Sequence, residues 1–95
     1  QPELIKNVIT LMINGWVKDK KLINDSISAN QLADFEAVHH RLINSIRRLK
    51  IEGLNNLFNE VKSAFNNDEI LKKQSEINEA FDFYIQEMQQ FFDSI

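Results

Sequence analysis

No cysteine appears anywhere in this chain of 95 residues, so disulfides and thiolate metal sites are excluded. Proline occurs once and glycine twice. That leaves almost no material for tight β-turns, and no hairpin is signalled. No apolar run approaches the roughly 20 residues that a membrane span requires. Neither sign of charge dominates: 11 basic and 14 acidic residues are interspersed, for a formal net charge of −3. Such a surface carries no electrostatic footprint for nucleic acid. Thr10 is the only threonine and there is no glycine-rich phosphate loop. No carboxylate pair stands in apolar surroundings as an acid/base couple does. These absences point away from an enzyme, and no cofactor or small-molecule substrate is implied. The lack of cysteine favours a cytoplasmic home. The start, Gln1-Pro2-Glu3, has neither an initiator methionine nor a signal-peptide pattern, so the chain reads as a piece of something longer.

What the chain does hold is helical periodicity. Between Asn67 and Ile95 the apolar residues are Ile70, Ile77, Phe81, Tyr84, Met88, Phe91 and Ile95, with Gln74 in the one gap. Steps of four and three alternate strictly, which is the seam of a heptad repeat. Burial of each such side chain is worth roughly 1.5–3 kcal/mol, so partner helices must lie along it.

From Glu3 the residues Ile5, Ile9, Met12, Trp16 and Ile23 step in the same way, with Asp19 where one more core residue belongs. Leu4, Val8, Leu11, Ile13 and Val17 widen this stripe beyond a coiled-coil seam. Gly15 costs about 1 kcal/mol against alanine in a helix interior. Asn24 to Ser28 forms a break rich in helix-stopping side chains, with Ser28 as N-cap and Gln31 completing a capping box.

Leu32, Phe35, His39, Leu42, Ile46 and Leu49 then carry a seam that fails at Gly53 and Asn56. Ile51, Leu54, Phe58, Val61 and Phe65 take it up on a shifted phase, a stutter in the heptad pattern. One long helix bent near Ile51–Gly53 satisfies this, and so do two helices broken there. No Pro, Asn or Ser lies between Arg48 and Leu54, and Glu52-Gly53 alone makes a poor turn, so the continuous helix is expected. Asn66-Asn67-Asp68 is the second break, with Asn67 or Asp68 capping the last helix.

The expected fold is all-α: one elongated antiparallel three-helix bundle with left-handed, coiled-coil-like packing. Its helices run over about residues 3–23, 29–66 and 68–95. Its core is Ile9, Met12, Trp16, Phe35, Leu42, Ile46, Phe58, Ile77, Phe81, Tyr84 and Met88, with Phe83 and Phe92 as candidate partner contacts. His39 and His40 point about 100° apart on a helix and cannot chelate one ion. His39 reads as a packed, hydrogen-bonded residue at the core edge, and Arg41, Arg47, Arg48 and Lys50 as a solvated basic face.

Trp16 followed by Val17-Lys18-Asp19-Lys20-Lys21-Leu22-Ile23 resembles the "W-I-x-E-K-x-x-L" signature of spectrin repeats. Leu32, Phe35, Val38 and His39-His40-Arg41-Leu42 resemble that family's second helix, and Phe81 or Tyr84 takes the place of its third-helix aromatic. Here that aromatic is not tryptophan and both connections are shorter. The resemblance implies a non-enzymatic spacer and protein-interaction module of a cytoskeletal or scaffolding rod, with neighbouring repeats or self-association as partners. The segment Asp68-Glu69-Ile70-Leu71 through Asn78-Glu79-Ala80-Phe81 and Tyr84 is also similar to the third helix of ubiquitin-binding adaptor domains in membrane trafficking. That likeness implies a small-protein-binding bundle as the alternative.

Overall fold

A computed structural model describes residues 2–95. Among the described residues there are four helices: α1 (Pro2–Ser28), α2 (Leu32–Leu49), α3 (Glu52–Ala64) and α4 (Ile70–Ser94). No strand occurs among the described residues. Each helix packs against its chain neighbours, α4 returns to α1, and the diagonal helices stand farther apart. Cross-helix pairs fix the directions. Arg41 meets Asp19, His39 meets Asn55, Lys73 meets Glu60, and Lys20 meets Asp82, so all four neighbours run antiparallel.

The expected three-helix bundle is therefore a four-helix one, because the middle helix is broken and folded back. Lys50 adopts the left-handed conformation (φ 57°). Its N–H donates to the Arg47 carbonyl, and the Ile51 N–H donates to that of Ile46, the paired bonds of a Schellman cap. On a straight helix the Leu42/Ile46 and Leu54/Phe58 stripes would stand about 120° apart. One groove cannot cover both. Reversal at Lys50 lets them face each other, with the Phe35 and Phe58 rings 5.5 Å apart. A left-handed lysine costs about 1–2 kcal/mol. Burying Leu54, Phe58 and Val61, all 1% exposed or less, returns roughly 1.5–3 kcal/mol each. The turn wins.

The segment Asn24–Ser28, expected as a break, is the last turn and a half of α1. Its polar side chains bond within and across helices instead of terminating one. Ser26 Oγ donates to the Ile23 carbonyl (2.7 Å), and Asn24 Nδ2 to that of Lys20 (2.8 Å). Ser28 is thus no N-cap; Gln31 holds that position, and no side chain caps α2. The true stop is Asn30 (φ 53°), again in a Schellman pairing with Ile27 and Ser26. At α4, Asn67 Oδ1 accepts from the Glu69 N–H (2.8 Å) just ahead of the helix. Asn66 (φ 67°) ends the preceding turn, and its Oδ1 accepts from Asn30 Nδ2 at 2.8 Å, tying both loops at one end of the bundle.

Helix lengths set the shape. With 27 and 25 residues, α1 and α4 are about 40 and 37 Å long, whereas 18 and 13 residues make α2 and α3 about 27 and 20 Å long. The molecule measures 48 × 21 × 19 Å. One half is a four-helix bundle. In the other, α1 and α4 run on alone.

Candidate functional site

The residues expected in the core divide between those halves. Trp16, Phe35, Leu42, Ile46, Phe58, Ile77 and Phe81 are buried in one cluster, and Ile9 is buried above it. Tyr84 and Met88 pack against the cluster while partly exposed, and Met12 is partly exposed as well. The Trp16 indole stands edge-on to Phe81 at 5.2 Å and tilted to Tyr84 at 6.2 Å.

Among the described residues the buried polar side chains each have a partner. Asp19, on the seam of α1, is buried against α2 and accepts from Arg41. The gap at Gln74 belongs to an amide layer between α1 and α4. Asn24 and Asn78 exchange hydrogen bonds at 2.8 and 2.9 Å, and Gln74 Nε2 donates to Asn24 Oδ1 at 2.8 Å. Such a layer fixes register, since a slip strands its donors. His39 lies stacked on Phe58 (4.5 Å between centroids, 3° between planes), and its Nε2 donates to Asn55 Oδ1 at 2.6 Å. Burial pushes its pKa below the usual histidine value. The Asn55 bond acts against that, Lys62 adds to it, Glu36 opposes it and His40 adds a little more. No buried side-chain nitrogen or oxygen lacks a partner, and no cluster of metal-ligating side chains occurs, among the described residues.

Clefts are shallow. One, about 340 Å³ between α3 and α4, is lined by Asn59, Glu60, Ser63, Asn67, Glu69 and Lys73. Its one cation is already held, since Lys73 Nζ donates to Glu60 at 2.8 Å and to Glu76 at 3.3 Å, which raises its pKa. A smaller cleft of about 200 Å³ is lined by Trp16, Leu49, Ile51, Tyr84, Glu87 and Met88. It marks the level at which the α2–α3 turn stops alongside α1 and α4.

Beyond that level lies the distinctive surface. Leu4, Ile5, Val8 and Leu11 of α1 are 62, 44, 50 and 72% exposed, and Phe91 of α4 is 58% exposed. Ile5 and Phe91, expected in the seam, are thus bare, because α2 and α3 end before reaching them. Leu4, Val8 and Leu11 continue the side of α1 that meets α2 lower down at Asp19, Leu22 and Ser26, by the helical spacing of four and three. The unusual width of the first apolar stripe was the signal for this surface in the sequence. Of the two candidate partner contacts, Phe83 is 56% exposed and edge-on to Tyr84 (5.3 Å). Phe92 is half-buried between the long helices, with Lys6 Nζ 5.2 Å above its ring.

Comparison with known proteins returns nothing: no protein-family model, curated protein or solved structure matches this chain. Among the described residues no helix is long and apolar enough to cross a membrane.

Proposed function

We propose that this chain is a non-enzymatic protein-interaction module whose working surface is the α1/α4 extension. One observation carries this: a two-helix-wide apolar face, with Leu4, Val8, Leu11 and Phe91 all at least half exposed, stands where the neighbouring half of the same pair is covered by α2 and α3. Contiguous exposed apolar surface on this scale marks interaction sites, and helical partners recognise it through side chains at spacings of three and four. The mutual satisfaction of Asp19 with Arg41, His39 with Asn55, and Asn24 with Gln74 and Asn78 also favours it, since these groups are spent on structure. The spacer role implied by the spectrin-repeat resemblance needs an unbroken middle helix, and the turn at Lys50 leaves it without that support.

The test uses the whole chain as bait in extracts of its source cells, beside a Val8→Glu/Leu11→Glu variant. Proteins retained by the parent chain and lost with the variant are expected. Identical recovery by both would remove the extension as the working surface.

A further inference from the structure

Resting on the interaction-module assignment above, we propose that the bare α1/α4 face is covered by the same face of a second copy of this chain, the two copies related by a twofold axis and overlapping tip to turn.

Geometry comes first. In the four-helix half, the α1/α4 pair is covered by another antiparallel helix pair, α2 and α3. A second α1/α4 extension has the same width and the same antiparallel sense, so it is a like-for-like replacement. A twofold contact requires such self-complementarity, with one patch serving both sides. The overlap continues the four-helix arrangement where α2 and α3 leave off. It also brings the apolar end of each α4, at Phe91 and Ile95, beside the cleft formed by Trp16, Leu49, Ile51 and Met88.

Charge supplies the orientation. In this overlap the tip of one copy abuts the α2–α3 turn of the other. The turn carries three cations, Arg47, Arg48 and Lys50, and one acid, Glu52. Among the described residues the tip carries two acids, Glu3 and Asp93, and one cation, Lys6, which lies over Phe92. Opposite patches on one chain meet twice, once at each end of the overlap, which steers the encounter and sets its direction.

Area sets the strength. About twelve residues of α1 but only seven of α4, residues 89–95, lie beyond the turn at the level of Trp16 and Met88, faces about 18 and about 10 Å long. Pairing two such faces buries less than the roughly 1,000 Å² of a stable specific interface, an area typical of weak, transient contacts. The dimer is therefore weak and concentration-dependent.

Sedimentation equilibrium on the whole chain between about 5 and about 500 µM tests this. The mass should rise from 11.1 kDa toward twice that, with a midpoint on the order of 10–100 µM. Val8→Glu/Leu11→Glu should stay monomeric throughout with its helical circular dichroism intact; Leu4→Lys serves if that double variant loses helicity. Arg48→Glu should weaken the dimer roughly tenfold, and adding Asp93→Lys should restore most of the loss. A parent chain that is monomeric at the highest concentration overturns the self-association, as does a dimer indifferent to the apolar variants. Charge reversal without rescue overturns the tip-to-turn arrangement. The extract experiment separates the two ideas: a monomeric parent chain that still retains another protein through Val8 and Leu11 leaves the interaction module standing and removes the second copy as its occupant.

Discussion

The two halves of this molecule share one pair of helices and differ in what covers them. Along α1, Trp16 and Ile23 are at most 4% exposed, whereas Ile5, on the same seam, is 44% exposed. Along α4, Ile77 and Phe81 are each 1% exposed and Phe91 is 58% exposed. Heptad spacing is the same in both halves. Periodicity states which side chains seek burial, and the reach of the neighbouring helices decides which obtain it. Stability is thus expected to concentrate in the four-helix half, with the extension free to spend its apolar surface on a partner.

The sharpest way to break this comparison is to truncate one aromatic in each half. Phe58→Ala or Trp16→Ala should cost about 3–5 kcal/mol in chemical denaturation, as for buried large aromatics. Phe91→Ala should cost less than about 0.5 kcal/mol in the dilute monomer. Similar losses from both would mean that the extension is as well packed as the bundle.

Acid should act on the four-helix half through His39. Its pKa in the folded chain lies below that in the unfolded chain, chiefly because burial disfavours the charged ring. The unfolded chain therefore binds more protons as pH falls below about 6.5. The His39 contribution is whole above that pH, declines by at most about 1.4 kcal/mol per pH unit below it, and levels off beneath the folded-state value. His39→Gln, measured by denaturation at pH 7.5 and 5.5, should flatten this slope. An unchanged slope would place the titration elsewhere.

Backbone substitutions give smaller effects of opposite sign. A Cβ on Gly15, within α1, meets nothing within 4 Å. Gly15→Ala should therefore raise stability by about 1 kcal/mol. Gly53 is equally open but lies in the first turn of α3, so its alanine variant should gain less. Lys50→Gly relieves a left-handed residue (φ 57°) and should stabilise by about 0.5 kcal/mol, net of the entropy a glycine adds to the unfolded chain. If Lys50→Gly destabilised by 1 kcal/mol or more, the reversal between α2 and α3 would need another explanation.

Much of this was legible from residue order. The shortage of glycine and proline and the four-three spacing require an all-helical chain, and Trp16, Phe35, Phe58 and Phe81 stand out as core by position alone. The phase shift after Leu49 was also visible, but its resolution was not. Lysine is a poor marker of a left-handed stop, so nothing local at Lys50 announced the turn that a glycine or asparagine would have signalled. The Asn24–Ser28 segment misled in the opposite sense. Asn24 and Ser26 carry helix-breaking side chains, yet Asn78 and the carbonyls of Lys20 and Ile23 supply partners that keep α1 going. Propensity is a local preference, and a cross-helix hydrogen bond outweighs it.

Sequence by itself determined that the chain is helical, which faces are apolar, and that an acid and an amide interrupt otherwise apolar seams. Only the tertiary structure decided that there are four helices, that Asp19 has its cation in Arg41, and that α2 and α3 stop short of Leu4, Val8 and Phe91. The physical reason is range. Spacing along a helix is set by bonds four residues apart, whereas the choice between one bent helix and a folded pair depends on whether Phe35 and Phe58, 23 positions apart in the chain, lose more water by meeting than Lys50 loses in strain.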